Sequence, residues 1–180
     1  MTALEVIKNR TSYRGTYESG KIPRGDLVKI MEAGLAAPSG CNKQTTSLIA
    51  VDEPDLMTKL CEVIEIETIK TAPAMVCVLT QQTIAYRDRT FYVQDYSAAI
   101  QNMLLAIVEL GYQSCWYEGQ ITDVDAIGRQ MADILGVPAD YELVCFLPVG
   151  IATQPVSFVS KKGFEERAWF NGFKENVLGA

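Results

Sequence analysis

The sequence predicts one domain of the α/β or α+β class, with helices set between strands. Three observations point there. The chain has 180 residues, the span of a single ordinary domain. It is 48% hydrophobic and 21% charged, which supplies a core and lies outside the composition of disordered chains. Segments with a helical apolar period alternate with short, β-branched apolar runs. No internal repeat, low-complexity stretch or Pro/Ser-rich linker divides the chain, so residues 1–180 read as one domain.

The elements follow in order. Thr2 caps a short helix over 2–9. Residues 10–22 have no period and contain Gly15 and Gly20, hence loop. Residues 24–36 place Leu27, Ile30, Met31 and Leu35 on one helical face, and Pro38-Ser39-Gly40 ends that helix. Residues 46–52 form a strand. Pro54 opens a helix through about Lys70 with Leu56, Leu60, Val63 and Ile64 inward. Residues 74–80 are a second strand, and 81–92 are polar and aromatic with no clear period. Residues 93–111 form the strongest element. From Ala98 to Leu110 this helix has almost no polar face, so it is buried on every side, either centrally or against a second subunit. Gly111 ends it and 114–117 is a short strand. Asp123 or Asp125 caps a helix through Leu135, and 142–151 is a strand that leaves through Pro148 and Gly150. The tail from Ser160 carries Lys161-Lys162, then Phe164, Trp169, Phe170 and Phe173, an aromatic set suited to docking.

Composition excludes several functions. A net charge of −6 argues against nucleic acid as the main partner. The absence of histidine removes Ser-His-Asp and Cys-His pairs and zincin helices. Five scattered cysteines with no CxxC, and no signal peptide, read as reduced thiols in a cytoplasmic protein with no thiolate metal site. Cys77, Cys115 and Cys145 lie in apolar runs and read as core residues; Cys41 lies in a Gly-Ser loop and reads as exposed. No apolar run reaches the roughly 20 residues of a membrane span. Neither GxGxxG nor GxxxxGK[ST] occurs, so the nucleotide-binding Rossmann and P-loop readings fail.

Three constellations remain. Lys8, Arg10, Arg14, Lys21 and Arg24 face only Glu18 between residues 8 and 24. Arg10, Ser12 and Arg14 alternate, so an extended backbone projects them to one side, where two guanidiniums and a hydroxyl suit a phosphate. A solvated basic loop is the alternative. Residues 37–44, Ala-Pro-Ser-Gly-Cys-Asn-Lys-Gln, gather amide and hydroxyl groups that suit a heteroaromatic ring, or form only a helix cap and turn. Residues 111–120 end a strand in Glu118-Gly119, where backbone N–H groups can approach a ligand, or form a plain turn.

In this order the pieces resemble the FMN-dependent nitroreductase family. Arg10-Thr11-Ser12-Tyr13-Arg14 is similar to its R-x-S-x-R segment, and Ala37 through Gln44 to its A-P-S-x-x-N-x-Q loop. A long apolar helix ending at Gly111, a Leu147-Pro148-Val149-Gly150 strand exit and the pair Lys161-Lys162 complete the likeness, which covers roughly residues 3–165. The chain departs from the pattern in having Thr11 where a second Arg is common and Thr45-Thr46 where Pro-Trp often follows.

The resemblance implies an α+β fold with a central, mostly antiparallel sheet flanked by helices, in an intertwined homodimer with FMN at the subunit interface. The 160–180 tail would dock on the partner. Arg10, Ser12 and Arg14 would hold the phosphate and ribityl chain, with Lys161 or Lys162. Asn42 and Gln44 would contact the ribityl or ring edge. Pro38 and Ser39 would pack on the isoalloxazine from the partner subunit, and the main chain of Glu118-Gly119 would reach N5 and O4. Tyr86, Phe91 or Tyr92 would cover the flavin face, and Lys70 offers an alternative charge near N1/O2. No dedicated catalytic side chain and no metal are implied. The activity implied is NAD(P)H oxidation, with NADH or NADPH as a transient donor, and ping-pong reduction of a small nitroaromatic, quinone or enone-like acceptor. Nucleic acid and membrane play no part. The rival readings are a specialised member, such as a reductive dehalogenase or an oxidase, a flavin-binding or small-ligand-sensing module without turnover, and a structural interaction protein with no flavin.

Overall fold

The protein is described by a computed structural model over residues 1–122 and 126–173. The helices are α1 (Ala3–Asn9), α2 (Arg24–Leu35), α3 (Pro54–Ile64), α4 (Tyr92–Glu109) and α5 (Ile127–Ile134). The strands are β1 (Thr46–Val51), β2 (Ala74–Thr80), β3 (Ile84–Tyr86), β4 (Arg89–Thr90) and β5 (Glu142–Val149). Short 3-10 turns lie at Gly40–Asn42, Ile69–Thr71 and Phe164–Glu166.

The order β1-β2-β5 makes one antiparallel sheet, as expected for the α+β class. Its centre is β2, every residue of which is buried. Strand alternation sends Met75, Cys77 and Leu79 to one face and Ala74, Val76 and Val78 to the other. The first face packs on α3 and α5 through Met57, Leu60, Ile64 and Met131. The second packs on α2 and α4 through Leu27, Ile30, Ile100, Met103 and Ile107. The result is three layers with the sheet in the middle. In β5 the register slips between Val78 and Leu79: Cys145 faces Val78 and Leu143 faces Leu79, so Val144 is an extra residue, a bulge.

Local chemistry sets the helix ends. Thr2 and Glu5 form a reciprocal capping box on α1, as its sequence predicts. The Glu53 carboxylate accepts from the Asp55 and Leu56 amides to start α3, with Pro54 in the first turn. That helix stops at Glu65, which turns left-handed (φ 56°), so the continuous helix expected through Lys70 is instead α3 followed by the separate turn Ile69–Thr71. Helices α2 and α4 touch closely because Gly34 has no side chain: a Cβ there would lie 2.8 Å from Met103 Cγ.

Two further expectations are corrected. Residues 114–117 are not a strand of their own; the segment meets β5 only through bridges at Gln113↔Gly150 and Tyr117↔Phe146, with the Tyr117 and Phe146 rings stacked at 5.1 Å. Residues 81–92, which showed no period, contain the hairpin β3–β4. The cap expected at Asp123 or Asp125 lies outside the described residues, and α5 runs from Ile127. Among the described residues no helix is long and apolar enough to cross a membrane.

Candidate functional site

The basic segment behaves as its alternation predicts. Thr11 and Tyr13 turn inward and are buried, while Arg10 and Ser12 are half-buried and Arg14 is exposed. The Tyr13 amide donates to the Ser114 carbonyl at 2.9 Å, which lays this segment along 113–117. Thr11 Oγ1 donates to the Ser157 carbonyl at 3.0 Å, so the residue that replaces a common Arg anchors the C-terminal segment.

Ser12, Arg10 and Arg14 lie within electrostatic reach of the buried Cys115. Burial pushes the Cys115 thiol up, and the Arg14 guanidinium, the Ser12 hydroxyl and the Arg10 guanidinium pull against it. Neither Arg10 nor Arg14 has a carboxylate partner among the described residues. Arg24 differs: Nε and Nη2 donate to Asp52 at 2.8 and 2.9 Å, so the solvated-loop reading holds for that residue. A pair of uncompensated guanidiniums with a hydroxyl between them is a donor set that fits a phosphate.

The second group is the 38–45 loop. Cys41, Asn42 and Gln44 all have left-handed backbones, with φ of 49°, 54° and 51°. Such backbone is costly for residues with side chains and persists only when neighbours impose it. Here the Gln44 amide donates to Ser39 Oγ at 3.0 Å and Gln44 Nε2 to Asn42 Oδ1 at 3.3 Å. Asp95, buried at the start of α4, accepts from the Gly40 amide at 2.7 Å and from Thr45 Oγ1 at 2.8 Å. Gly40 itself is required, since a Cβ there would meet Phe91 Cβ at 2.7 Å. A cavity of about 180 Å³ opens beside this loop, lined by Pro38, Ser39, Gln44, Asp95 and Ala99.

The third group is Glu118. Its Oε1 accepts from Tyr96 Oη at 2.7 Å and its Oε2 from Trp116 Nε1 at 2.8 Å. Burial, then the Glu118 bond, pushes the Tyr96 phenol up. Both carboxylate oxygens are thereby occupied, which leaves Gly119 exposed beside them with its main chain free of a side chain's cover. Asp95 and Tyr96 are neighbours on α4. One turn of that helix therefore ties the 38–45 loop to the 116–119 turn.

Not every expected residue arrives. Lys161 and Lys162 are exposed, and among the described residues no hydrogen bond or ion pair joins them to Arg10, Ser12 or Arg14. Lys70 is bonded to Glu67 at 2.5 Å and lines a cavity of about 490 Å³ with Lys21, Met57 and Cys61. Cys41 is exposed and Cys77, Cys115 and Cys145 are buried, as read from their runs; Cys61 is buried too. Asp95, Tyr96 and Trp116 were missed as site residues. Asp95 had a signal: a carboxylate that opens a helix with a long apolar run must be partnered if it is buried.

An antiparallel three-layer fold with an arginine segment free of carboxylate partners among the described residues, and a polar loop in left-handed backbone, defines a class, and comparison supplies its family. The nitroreductase family model matches residues 7–73 and 66–151, and the chain belongs to that family. A protein from Archaeoglobus fulgidus, described provisionally as an NADH dehydrogenase/NAD(P)H nitroreductase, is 28% identical over 148 residues, 82% of this chain and 83% of that one. A protein from Methanothermobacter thermautotrophicus with the same description is 32% identical over 117 residues, 64% of this chain and 60% of that one. Among solved structures, an FMN-dependent nitroreductase from Clostridium difficile R20291 superposes with a TM-score of 0.79 at 23% identity, covering 94% of this chain and 99% of that one. A BluB-like flavoprotein from Clostridium difficile 630 superposes at 0.80 with 25% identity over the same shares, 94% and 99%.

Proposed function

We propose that the protein is an FMN-dependent NAD(P)H oxidoreductase that passes electrons to a small nitroaromatic, quinone or enone-like acceptor. The observation that carries the reading is that Arg10, Ser12 and Arg14 share the outward side of a segment whose Thr11 and Tyr13 are buried, with no carboxylate partner for either arginine among the described residues. Those three residues hold the FMN phosphate and ribityl chain. Asn42 and Gln44 bind the ribityl or ring edge, Pro38 and Ser39 flank the ring, and Glu118-Gly119 present backbone to it. Lys161 or Lys162 adds charge to the phosphate when the tail settles; Thr11 already ties Ser157, a few residues upstream, to the segment. FMN, when bound, supplies the two-electron chemistry between donor and acceptor. The protein binds and orients, which is why a chain with no histidine suffices. NADH or NADPH and the acceptor occupy one site in turn, a ping-pong order.

The cavity beside Ser39 is about 180 Å³, below the roughly 300 Å³ of ligand-sized pockets. A second wall is therefore needed, and a second copy of the chain provides it. Leu4 and Ile7 on α1, Leu35 on α2, and Phe158 and Val159 in the C-terminal segment are all exposed apolar residues available for that contact. Sedimentation at micromolar concentration gives the mass of a dimer; a monomer that still binds FMN tightly contradicts this part of the reading.

Titration of apoprotein with FMN tests the site. Arg14→Ala loses charge-assisted bonds worth about 1.5–3 kcal/mol each, so its Kd rises about tenfold or more. An Arg14→Ala protein that folds and binds FMN like the parent removes the phosphate assignment. Tyr86, Phe91 or Tyr92 covers the ring face; the packing of the β3–β4 hairpin on the Gly40–Asn42 turn, and of Phe91 against Gly40, supports this reading.

A further inference from the structure

The β3–β4 hairpin packs against the Gly40–Asn42 turn, and Phe91 at its end lies against Gly40. Its connection is the pair Arg87-Asp88, set between the partners Tyr86 and Arg89. Two-residue hairpin turns favour Asn-Gly or Asp-Gly, because the first central residue adopts a positive φ. Arg87 occupies that position with φ 51°. A long cation has no local advantage in left-handed backbone, so an outlier here points to a use for the side chain. The guanidinium is also oriented: it lies over the Tyr86 ring, 5.2 Å from the centroid. Neither Arg87 nor Arg89 has a carboxylate partner among the described residues, although the chain is acidic overall. Tyr86 is half exposed and Ile84 more so, which leaves a flat aromatic and apolar surface beside two free cations.

We infer that this hairpin is the anion-reading wall of the site, and that Arg87 and Arg89 select a planar substrate carrying a carboxylate or phosphate. The inference rests on the flavin reading above and deepens it by naming the substrate class. The ring stacks on Tyr86, and the guanidiniums take the anionic group. Arg is suited to both roles, since its planar fork binds carboxylate and phosphate oxygens in pairs. The anion can belong to the acceptor or to the donor, because both use one site.

The test compares matched substrates on the FMN-loaded protein. 4-Nitrobenzoate and 4-nitrobenzamide share ring and nitro group and differ in charge; NADPH and NADH differ by one phosphate. The expected result is that Arg87→Gln/Arg89→Gln lowers kcat/KM for the charged member of at least one pair by about five- to tenfold relative to the uncharged or less charged member, with FMN content unchanged. Loss in the benzoate pair assigns the anion to the acceptor; loss in the NADPH pair assigns it to the donor. As a second measurement on the parent protein, added NaCl lowers the rate with the charged member of that pair more steeply. Unchanged discrimination in both pairs, with no salt difference, overturns the inference and leaves the flavin reading intact. A chain that binds no FMN overturns both.

Discussion

Asp95 accepts two hydrogen bonds from the loop that faces the site and is 4% exposed. Removing the carboxylate leaves the Gly40 amide and the Thr45 hydroxyl as buried donors without a partner. Each such orphan costs about 1–3 kcal/mol. Asp95→Ala is therefore expected to lose about 2–4 kcal/mol in urea unfolding and to weaken FMN binding with it, because Cys41, Asn42 and Gln44 lose the frame that holds their left-handed backbones. Asp95→Asn keeps one acceptor and loses less. Equal stability of Asp95→Ala and parent shows that the loop is held by something else. Glu118 works by the same logic. Its carboxylate is bound by Tyr96 and Trp116, which fits a role through its main chain and not as an acid.

At the scale of elements, α2 is fixed to the end of β1 by the bidentate Arg24–Asp52 pair. Arg24 holds the Asp52 carboxyl below its usual value of 3.8. A carboxylate whose folded value is lowered contributes stability that is complete above 3.8 and is lost as pH falls through the lower folded value. Asp52→Asn is thus expected to flatten the fall in melting temperature between pH 5 and pH 2, by a small amount because Arg24 is exposed and screened. An identical acid limb in both proteins contradicts this.

The elements were legible to different degrees for physical reasons. β2 declares itself because burial on all sides demands an unbroken apolar run; α4 is also legible from its apolar run, but the burial expected on every side does not hold, since Val93, Gln94, Gln101 and Glu109 are exposed. The capping box of α1 is local chemistry. The end of α3 was not legible, since Glu65 turns left-handed with no glycine to mark it. The β3–β4 hairpin was missed because Ile84 and Tyr86 are exposed, so no apolar alternation is required, and its turn lacks glycine. At the site, the Arg10-Ser12-Arg14 alternation could be read directly from the chain. Tyr96 and Trp116 could not, because their partner Glu118 is distant from Tyr96 in sequence and brought close only by the fold.

For the whole molecule, the three layers bury both faces of a narrow sheet, lay the arginine segment along 113–117, and tie the 38–45 loop and the 116–119 turn to Asp95 and Tyr96 near the start of α4. On the proposed reading, that arrangement would bind and orient a planar, phosphorylated cofactor, with a second subunit completing the site. The chain belongs to the nitroreductase family, and the solved structures compared above share its fold. The most direct test is the visible absorption spectrum of the FMN-loaded protein, taken anaerobically before and after NADH or NADPH. The account predicts a yellow protein, one FMN per chain, that bleaches on addition of donor and recovers colour with a nitroaromatic or quinone. A protein that cannot be loaded with FMN, or one that stays yellow with both donors, contradicts it.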